Sequence, residues 1–206
     1  MQIQSDKIET RVFNSQELRA KPDSRTIEGY AAVFNSESED LGWYVEEIAP
    51  GAFDDVMEDD VRALFNHDPN LILARTTSGT LKLGIDEKGL AYSFDAPETT
   101  TGNDLLESVR RGDVSQSSFG FIVGEQRWDE LEMMKDGKRW FKTKRTILKI
   151  DRLFDVSPVT YPAYPDTSVA KRAWEGIKKP EPETVSISKQ QARSRAIKIN
   201  DKISQL

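Results

Sequence analysis

The chain has 206 residues, of which 37% are hydrophobic and 31% charged, and it carries a formal net charge of −6, one histidine and no cysteine. An acidic chain is a poor binder of nucleic-acid phosphates, which attract clusters of Lys and Arg. The lack of cysteine excludes disulfides, zinc sites built on cysteine and a cysteine nucleophile. No apolar stretch is long enough to span a bilayer, and the polar N-terminal sequence lacks the apolar run of a signal peptide. We therefore expect a soluble, cytoplasmic protein without a membrane or nucleic-acid partner.

Alternating apolar and polar residues predict strands along the first part of the chain. The predicted strands are IETRVF (8–13), TIEGYAAVFN (26–35), WYVEEIAP (43–50) and VRALFNHD (61–68). Between them, QELRAKPDSR is polar and predicts a loop, whereas PGAFDDVM begins with the Pro and Gly that favour the start of a short helix. Two further alternating runs, in TLKLGIDEKGLAYSFDAP, flank DEKG and predict a β-hairpin.

The clearest helix prediction falls on TGNDLLESVRRGD (101–113). Its apolar residues recur at helical spacing, two arginines fill its last turn, and Gly112 follows as a C-cap. SSFGFIVGEQRW (117–128) then predicts a strand, which KDGK turns back into a long strand over 139–162. With about nine strands and two or three short helices, the pattern predicts an α+β fold, with a mainly antiparallel β-barrel core and short helices around it.

The composition also predicts a division of the chain into three parts. Residues 1–24 form an N-terminal extension or edge strand, and residues 25–177, which contain most of the aromatic residues, form one domain. Within this domain, AYPDTSVAKRAW (163–174) predicts a last short helix. From residue 178 the Pro-rich, charged stretch KKPEPE predicts a flexible linker, and the tail that follows is helical or disordered.

Serine chemistry is the strongest catalytic option that the residues leave open. It requires a hydroxyl and a base, and His67, in ALFNHDPN, is the only imidazole. Ser115, Ser117 and Ser118, in GDVSQSSFGF, follow a capped helix and open an apolar strand. On this pattern alone, a lone histidine near a turn is more often an ordinary surface residue, and a serine pair that enters a strand is a turn or a cap at least as often as a reactive site.

The sequence gives less support to a metal site or a nucleotide-binding site than to serine chemistry. The acidic clusters ESED and DDVMEDD lack the spaced ligands and the glycine of a calcium loop, and GDVSQSSFG lacks the lysine and the spacing of a phosphate-binding loop. Asp and Glu number 35, so the choice of a glycosidase pair of carboxylates would be arbitrary. The sequence therefore predicts no metal and no cofactor.

Five segments together resemble a known family. They are RTIEGYAAVFN, EEIAPGAFD, ALFNHDPNLILART, GDVSQSSFGF and LFDVSPVTYPAYPDT, in this order. This order resembles that of the prohead proteases of tailed bacteriophages, which are similar to the herpesvirus assemblins. The resemblance covers about residues 25–170 and rests on all five segments rather than on any one of them. It implies a serine protease with a herpesvirus-protease-like β-barrel core, surrounded by helices, over residues 25–177.

The resemblance also implies roles for three residues. His67 corresponds to the general base and Ser118, the serine before FGF, to the nucleophile. The family often has an apolar residue before that serine, where this chain has Ser117, so the choice between the two hydroxyls stays open. Asp155, in LFDVSPV, corresponds to the third member. The herpesvirus enzymes use a second histidine there, which this chain does not have.

The residues themselves give Asp155 an independent argument and two competitors. A carboxylate in an apolar strand is costly without a partner, and His67 is a suitable partner. Asp151, four residues earlier, is the second choice for the orienting acid. An ion pair of Asp155 with Arg145 or Arg152 is the purely structural alternative.

Two neighbours of the predicted site receive lesser roles. Asp68 adjoins His67, but neighbours on a strand point to opposite faces, so we expect it to cap the turn at Pro69. An oxyanion hole would need backbone N–H groups near Ser118 or in a facing loop. Arg75 is a candidate contributor, although an exposed charge is the simpler interpretation.

The resulting hypothesis is an endopeptidase that acts through a Ser-His-Asp acyl-enzyme mechanism without a cofactor. The family resemblance implies that its partners are the major capsid protein, with its scaffolding segment, and the protease itself through self-cleavage, inside the prohead in the host cytoplasm. A homodimer, as the assemblins form, or confinement in the prohead could switch on activity. The alternatives are a non-catalytic capsid assembly protein with the same fold and an unrelated esterase, although the chain lacks the G-x-S-x-G motif of the latter.

Overall fold

The computed structural model describes residues 7–12, 18–38, 41, 44–135 and 138–161. These residues form two β-sheets, one α-helix and one short 3₁₀ helix (Asp54–Val56). The strands are β1 (Glu9–Val12), β2 (Arg19–Ala20), β3 (Thr26–Val33), β4 (Tyr44–Ile48), β5 (Arg62–Phe65), β6 (Asp68–Arg75), β7 (Leu81–Ile85), β8 (Gly89–Asp95), β9 (Gln116–Lys135) and β10 (Lys138–Val159). The helix is α1 (Thr100–Arg111).

The first sheet is organised around the long hairpin of β9 and β10. Its six strands run in the order β1-β9-β10-β5-β6, and β4 also pairs with β10. Strands β4 and β5 are parallel to β10, whereas the other pairs are antiparallel. The register between β9 and β10 shifts at several points along β10, which changes the face on which successive β10 side chains lie.

The second sheet is smaller and entirely antiparallel, with the order β2-β3-β8-β7. Its apolar side chains join those of the first sheet in one core. Ile27 and Leu90 of the second sheet and Phe119 and Phe121 of the first are fully buried in this core. Phe53 packs edge-on against Phe119, with ring centroids 5.5 Å apart. The core thus lies directly behind the start of β9.

Helix α1 ends at Gly112, as its sequence predicts, but it begins at Thr100, one residue before the predicted segment 101–113. Thr99 is the N-cap and accepts a hydrogen bond from the amide of Gly102. Gly112 ends the helix in the left-handed conformation, with φ of 81°, which glycine adopts without a steric penalty. Three apolar residues bury one face of the helix, namely Leu105, Leu106 and Val109.

The prediction of a mainly β fold with few helices is confirmed. The sheets include two parallel strand pairs besides the expected antiparallel ones, and a closed barrel of the herpesvirus type stays a prediction. The expected helix in PGAFDDVM is only the 3₁₀ helix, and the expected loop QELRAKPDSR contains the short strand β2. The helix predicted at 163–174 and the linker and tail at 178–206 lie outside the described residues.

Candidate active site

Three of the residues singled out in the sequence form one hydrogen-bonded chain. His67 Nε2 lies 2.6 Å from Ser118 Oγ, and His67 Nδ1 lies 2.6 Å from Asp155 Oδ1. Ser118 is near the start of β9, Asp155 is near the end of β10, and His67 lies in the turn between β5 and β6. Residues separated by as many as 88 positions in the sequence are therefore brought together by the pairing of β5, β9 and β10.

Ser117 and Ser118 lie on opposite faces of β9, because successive side chains alternate along a strand. Ser118 faces His67, whereas Ser117 Oγ lies 2.7 Å from the hydroxyl of Tyr92 in the core. Burial raises the pKa of Tyr92, so its hydroxyl stays neutral and needs a partner. Ser115, in the described residues just before β9, is not part of the chain to His67. The geometry therefore favours Ser118 as the hydroxyl beside the base.

A left-handed turn directs His67 towards the two strands. Asn66 and His67 both have positive φ, of 56° and 58°. Asparagine tolerates this conformation better than most residues. The Asn66 amide donates to the carbonyl of Pro158 at 3.0 Å, and its side-chain oxygen accepts from the amide of Thr160 at 2.9 Å. Both bonds fasten the turn to the end of β10, the strand that carries Asp155.

The Asp155 carboxylate is almost completely buried and has two donors on the same oxygen. Besides His67, the hydroxyl of Ser157 donates to Asp155 Oδ1 at 2.6 Å. Gly120 lies opposite Asp155 in the strand register. A Cβ atom at this glycine would lie 2.4 Å from Asp155 Oδ2, so any larger residue would displace the carboxylate.

Asp151, the alternative orienting acid, and Arg145 and Arg152, the alternative partners of Asp155, make other contacts in the structure. Asp151 lies against Gly124, further along the hairpin, whereas Asp155 lies against Gly120 and His67. Arg145 donates to Glu46 at 2.8 Å, and the guanidinium of Arg152 lies 5.6 Å from the ring centroid of Phe154. In the structure, Asp155 therefore pairs with His67 rather than with an arginine.

Asp68 and Arg75 stand apart from the hydrogen-bonded chain. Asp68 Oδ1 accepts from the amide of Asn70 at 2.8 Å, which is the turn-capping contact that the sequence predicts. Arg75 binds Asp60 through two hydrogen bonds, of 2.7 and 2.6 Å. The hydrogen bond from Arg75 lowers the pKa of Asp60, so this partly exposed carboxylate stays ionised.

The arrangement has the polarity that serine activation requires. A carboxylate on Nδ1 fixes the imidazole proton there and leaves the Nε2 lone pair for the serine hydroxyl. The carboxylate also stabilises the imidazolium that forms when the base takes the proton. Among the described residues, no group of three or more His, Cys, Asp and Glu is placed to hold a metal ion. Within these same ranges, no helix has the length and apolar character that crossing a bilayer requires.

The structure adds Asn66 and Ser157 to the site, which the sequence reasoning missed, and it identifies Asp155 as the group that lies close to Gly120. The sequence around each of the three residues is consistent with its position. Asn66 precedes the histidine in a turn that needs positive φ, and Ser157 lies two positions after Asp155, hence on the same strand face. Gly120 interrupts an apolar strand, as glycine does where another group approaches closely.

Comparison with known proteins gives one match. The family model described as caudovirus prohead serine protease matches residues 12–180. This range contains all three members of the hydrogen-bonded chain and most of the sequence. No curated protein and no solved structure matches the chain.

Proposed function

Because the chain belongs to the caudovirus prohead serine protease family, we propose that it is an endopeptidase of capsid maturation, with Ser118 as nucleophile, His67 as general base and Asp155 as orienting acid. Its substrates are the scaffolding segment of the major capsid protein and the protease itself. Cleavage takes place inside the prohead, in the cytoplasm of the host cell. Family membership supports the protease class, and the substrates and the residue roles are the proposal.

The mechanism follows from the polarity of the hydrogen-bonded chain. Ser118 Oγ attacks the scissile carbonyl carbon, while His67 Nε2 takes the hydroxyl proton. The tetrahedral intermediate collapses, the C–N bond breaks, and His67 returns the proton to the leaving amine. Water then attacks the acyl-enzyme ester, with His67 taking its proton, and Ser118 regains a proton as the ester bond breaks. Asp155 keeps its charge throughout and stabilises the imidazolium.

One observation carries the proposal, namely the 2.6 Å contact between His67 Nε2 and Ser118 Oγ. General bases are effective only within hydrogen-bond reach of the proton that they remove, and they typically contribute about 10²–10⁴-fold to the rate. The second contact, from His67 Nδ1 to Asp155, supports the same assignment because it selects the tautomer that accepts at Nε2.

A non-catalytic assembly protein with the same fold is the second candidate. Such a protein would bind capsid protein without needing a base beside a serine. The close contacts among His67, Ser118 and Asp155 argue against it, because an unused buried carboxylate and its partners would be costly to retain. The two candidates differ in whether any peptide bond is cut.

The test is co-expression of the chain with the major capsid protein from the same phage. Mass spectrometry then measures the intact mass of both proteins. We expect the wild-type chain and Ser117→Ala to cut the capsid protein, and Ser118→Ala to leave it intact. If Ser117→Ala alone stops cleavage, the assignment of the nucleophile is wrong. If the wild-type chain cuts neither protein within assembled proheads, the protease proposal fails and the assembly protein takes its place.

A further inference from the structure

Strand β1 lies along the edge of β9 at the site of the candidate nucleophile. Its four residues pair antiparallel with β9, from Val12 opposite Ser118 to Glu9 opposite Phe121. An extended peptide that approaches Ser118 along β9 would need the same backbone groups. With β1 in place, Ser118 is fully buried.

The backbone of β1 also engages the serine hydroxyl directly. Ser118 Oγ donates to the carbonyl oxygen of Arg11 at 2.8 Å, whereas a productive serine donates its single proton to the base. The Arg11 carbonyl thus competes with His67 for that proton. The contact is also the wrong one for attack, because a nucleophile must approach the carbonyl carbon while other donors hold the oxygen.

Buried charges hold β1 in this position. Arg11 donates to Glu46 of β4 at 2.7 and 3.1 Å, and Arg145 of β10 donates to both Glu46 and Glu9. We call these four residues, Glu9, Arg11, Glu46 and Arg145, the anchor cluster. The cluster has two positive and two negative side chains, and Glu46 is fully buried within it. If β1 is displaced, Arg145 and Glu46 still pair with one another. The edge of the sheet that β1 leaves therefore has one positive and one negative side chain, and their charges cancel.

We propose that β1 is a resident blocking strand, which occupies the substrate edge of β9 and withholds the Ser118 proton until it is displaced. The inference rests on the proposed function of Ser118. Glu9 and Arg11, which supply half of the anchor cluster, lie outside the matched residues 12–180, so the argument for the block rests on the contacts of this chain. The occupant of the edge is the chain's own segment Glu9–Val12, and an extended peptide substrate takes its place.

The test measures the reactivity of Ser118 rather than substrate cleavage. A fluorophosphonate probe adds to an accessible, activated serine, and intact mass follows the labelling rate of the full chain. The variant E9A/R11A removes the two β1 side chains and leaves the Arg145–Glu46 pair, and Thr10→Pro disrupts the strand pairing instead. The matched control is R19A/E28A, which removes an acid–arginine pair that joins β2 to β3.

We expect both β1 variants to label about tenfold faster than the wild-type chain or more, and the control to label at the wild-type rate. A recognition site for an added, sequence-specific protease is inserted after Val12, and the chain is cut there only after it has folded. This experiment distinguishes an effect of β1 on access to Ser118 from an effect of β1 on folding. Cutting there should raise the labelling rate of the otherwise unchanged protein. Equal rates before and after cutting, and equal rates in folded β1 variants, would overturn the blocking strand. If Ser118 is labelled in no folded form, the proposed function itself fails.

Discussion

Ser157 donates a hydrogen bond to the same oxygen of Asp155 that His67 Nδ1 contacts, and both distances are 2.6 Å. Ser157 is fully buried and lies two positions after Asp155 on β10. The carboxylate is therefore fixed by a neighbour on its own strand as well as by the imidazole. An additional hydrogen bond of this kind restricts the side chain to the orientation that the reaction requires.

Ser157→Ala should lower kcat about tenfold, because one hydrogen bond to the carboxylate is lost. KM should stay unchanged, because Ser157 contacts Asp155 and is a positioning residue. Steady-state cleavage of a peptide substrate gives both constants. Ser108→Ala on α1, which removes a hydroxyl bonded only locally to the carbonyl of Asp104, is the control. A fall in kcat of equal size in the control, or none in Ser157→Ala, would contradict the assigned role.

Gly120→Ala should be more harmful than the loss of Ser157. The new Cβ would lie 2.4 Å from Asp155 Oδ2, so the carboxylate must move by about 1 Å to reach van der Waals distance. A displacement of this size typically costs about a hundredfold in rate. Gly84→Ala on β7 is the matched control, because a Cβ there meets no atom within 4 Å. Peptide cleavage by the two folded variants distinguishes a specific effect from a general effect of glycine replacement.

The sequence predicts the hydrogen-bonded chain better than it predicts the sheet. His67, Ser118 and Asp155 lie in segments with distinctive composition, so family resemblance locates them without knowledge of their distances. The parallel pairing of β4 and β5 with β10 leaves no such sign, because a strand's alternation of apolar and polar residues is the same for either direction. The Pro and Gly of PGAFDDVM likewise predict a short helix, of which the structure has only the 3₁₀ helix at Asp54–Val56.

The contacts of Asp151 show what sequence spacing leaves undecided. A separation of four residues places Asp151 and Asp155 on one face of a regular strand. Strand β10 has register shifts between Ile150 and Arg152 and between Leu153 and Asp155, and Asp151 lies against Gly124 whereas Asp155 lies against Gly120 and His67. Irregularities of this kind depend on the partner strand and on the groups packed against it, such as Gly120, and a single strand's sequence does not encode them.

Ser117→Ala should destabilise the fold and leave activity unchanged. The buried hydroxyl of Tyr92 loses its partner, which typically costs about 1–3 kcal/mol of the free energy of unfolding. The double variant Ser117→Ala/Tyr92→Phe removes both polar groups and should recover part of that loss. Denaturant unfolding measures the stabilities, and peptide cleavage measures the activity. Loss of cleavage in folded Ser117→Ala would contradict the view that this serine belongs to the core.

Asn66 has two roles, which are to adopt positive φ and to accept a hydrogen bond from the Thr160 amide. Variants at this position should lose stability and activity according to which of these roles they lose. Asn66→Gly keeps access to positive φ but loses the acceptor for the Thr160 amide, whereas Asn66→Ala loses both. We expect kcat to fall in both variants and Asn66→Ala to be less stable than Asn66→Gly by about 1 kcal/mol, the cost of the left-handed conformation. Asn66→Asp keeps an acceptor and should retain the most activity. Unfolding and kinetic measurements on the three variants test this order, and equal stability of the Ala and Gly variants would refute the backbone argument.

Glu9 should make the stability of the chain depend on pH in the acid range. Burial alone would raise the pKa of Glu9, but the hydrogen bond from Arg145 and the charge of Arg11 outweigh it and hold the pKa below the ordinary value of 4.5. Glu46 and Tyr44, which belong to β4, are the other titratable groups near it, and both are retained when Glu9 is replaced.

A carboxylate with a lowered folded pKa stabilises the fold above its unfolded pKa and loses that effect as the pH falls through the folded pKa. Glu9→Gln should therefore have a lower Tm than the wild-type chain at about pH 7, and the difference should shrink towards about pH 3. Thermal unfolding followed by circular dichroism measures both, with the exposed Glu107→Gln on α1 as the baseline. A Tm difference that stays constant across this range would mean that the ionised Glu9 carboxylate does not hold β1 on β9.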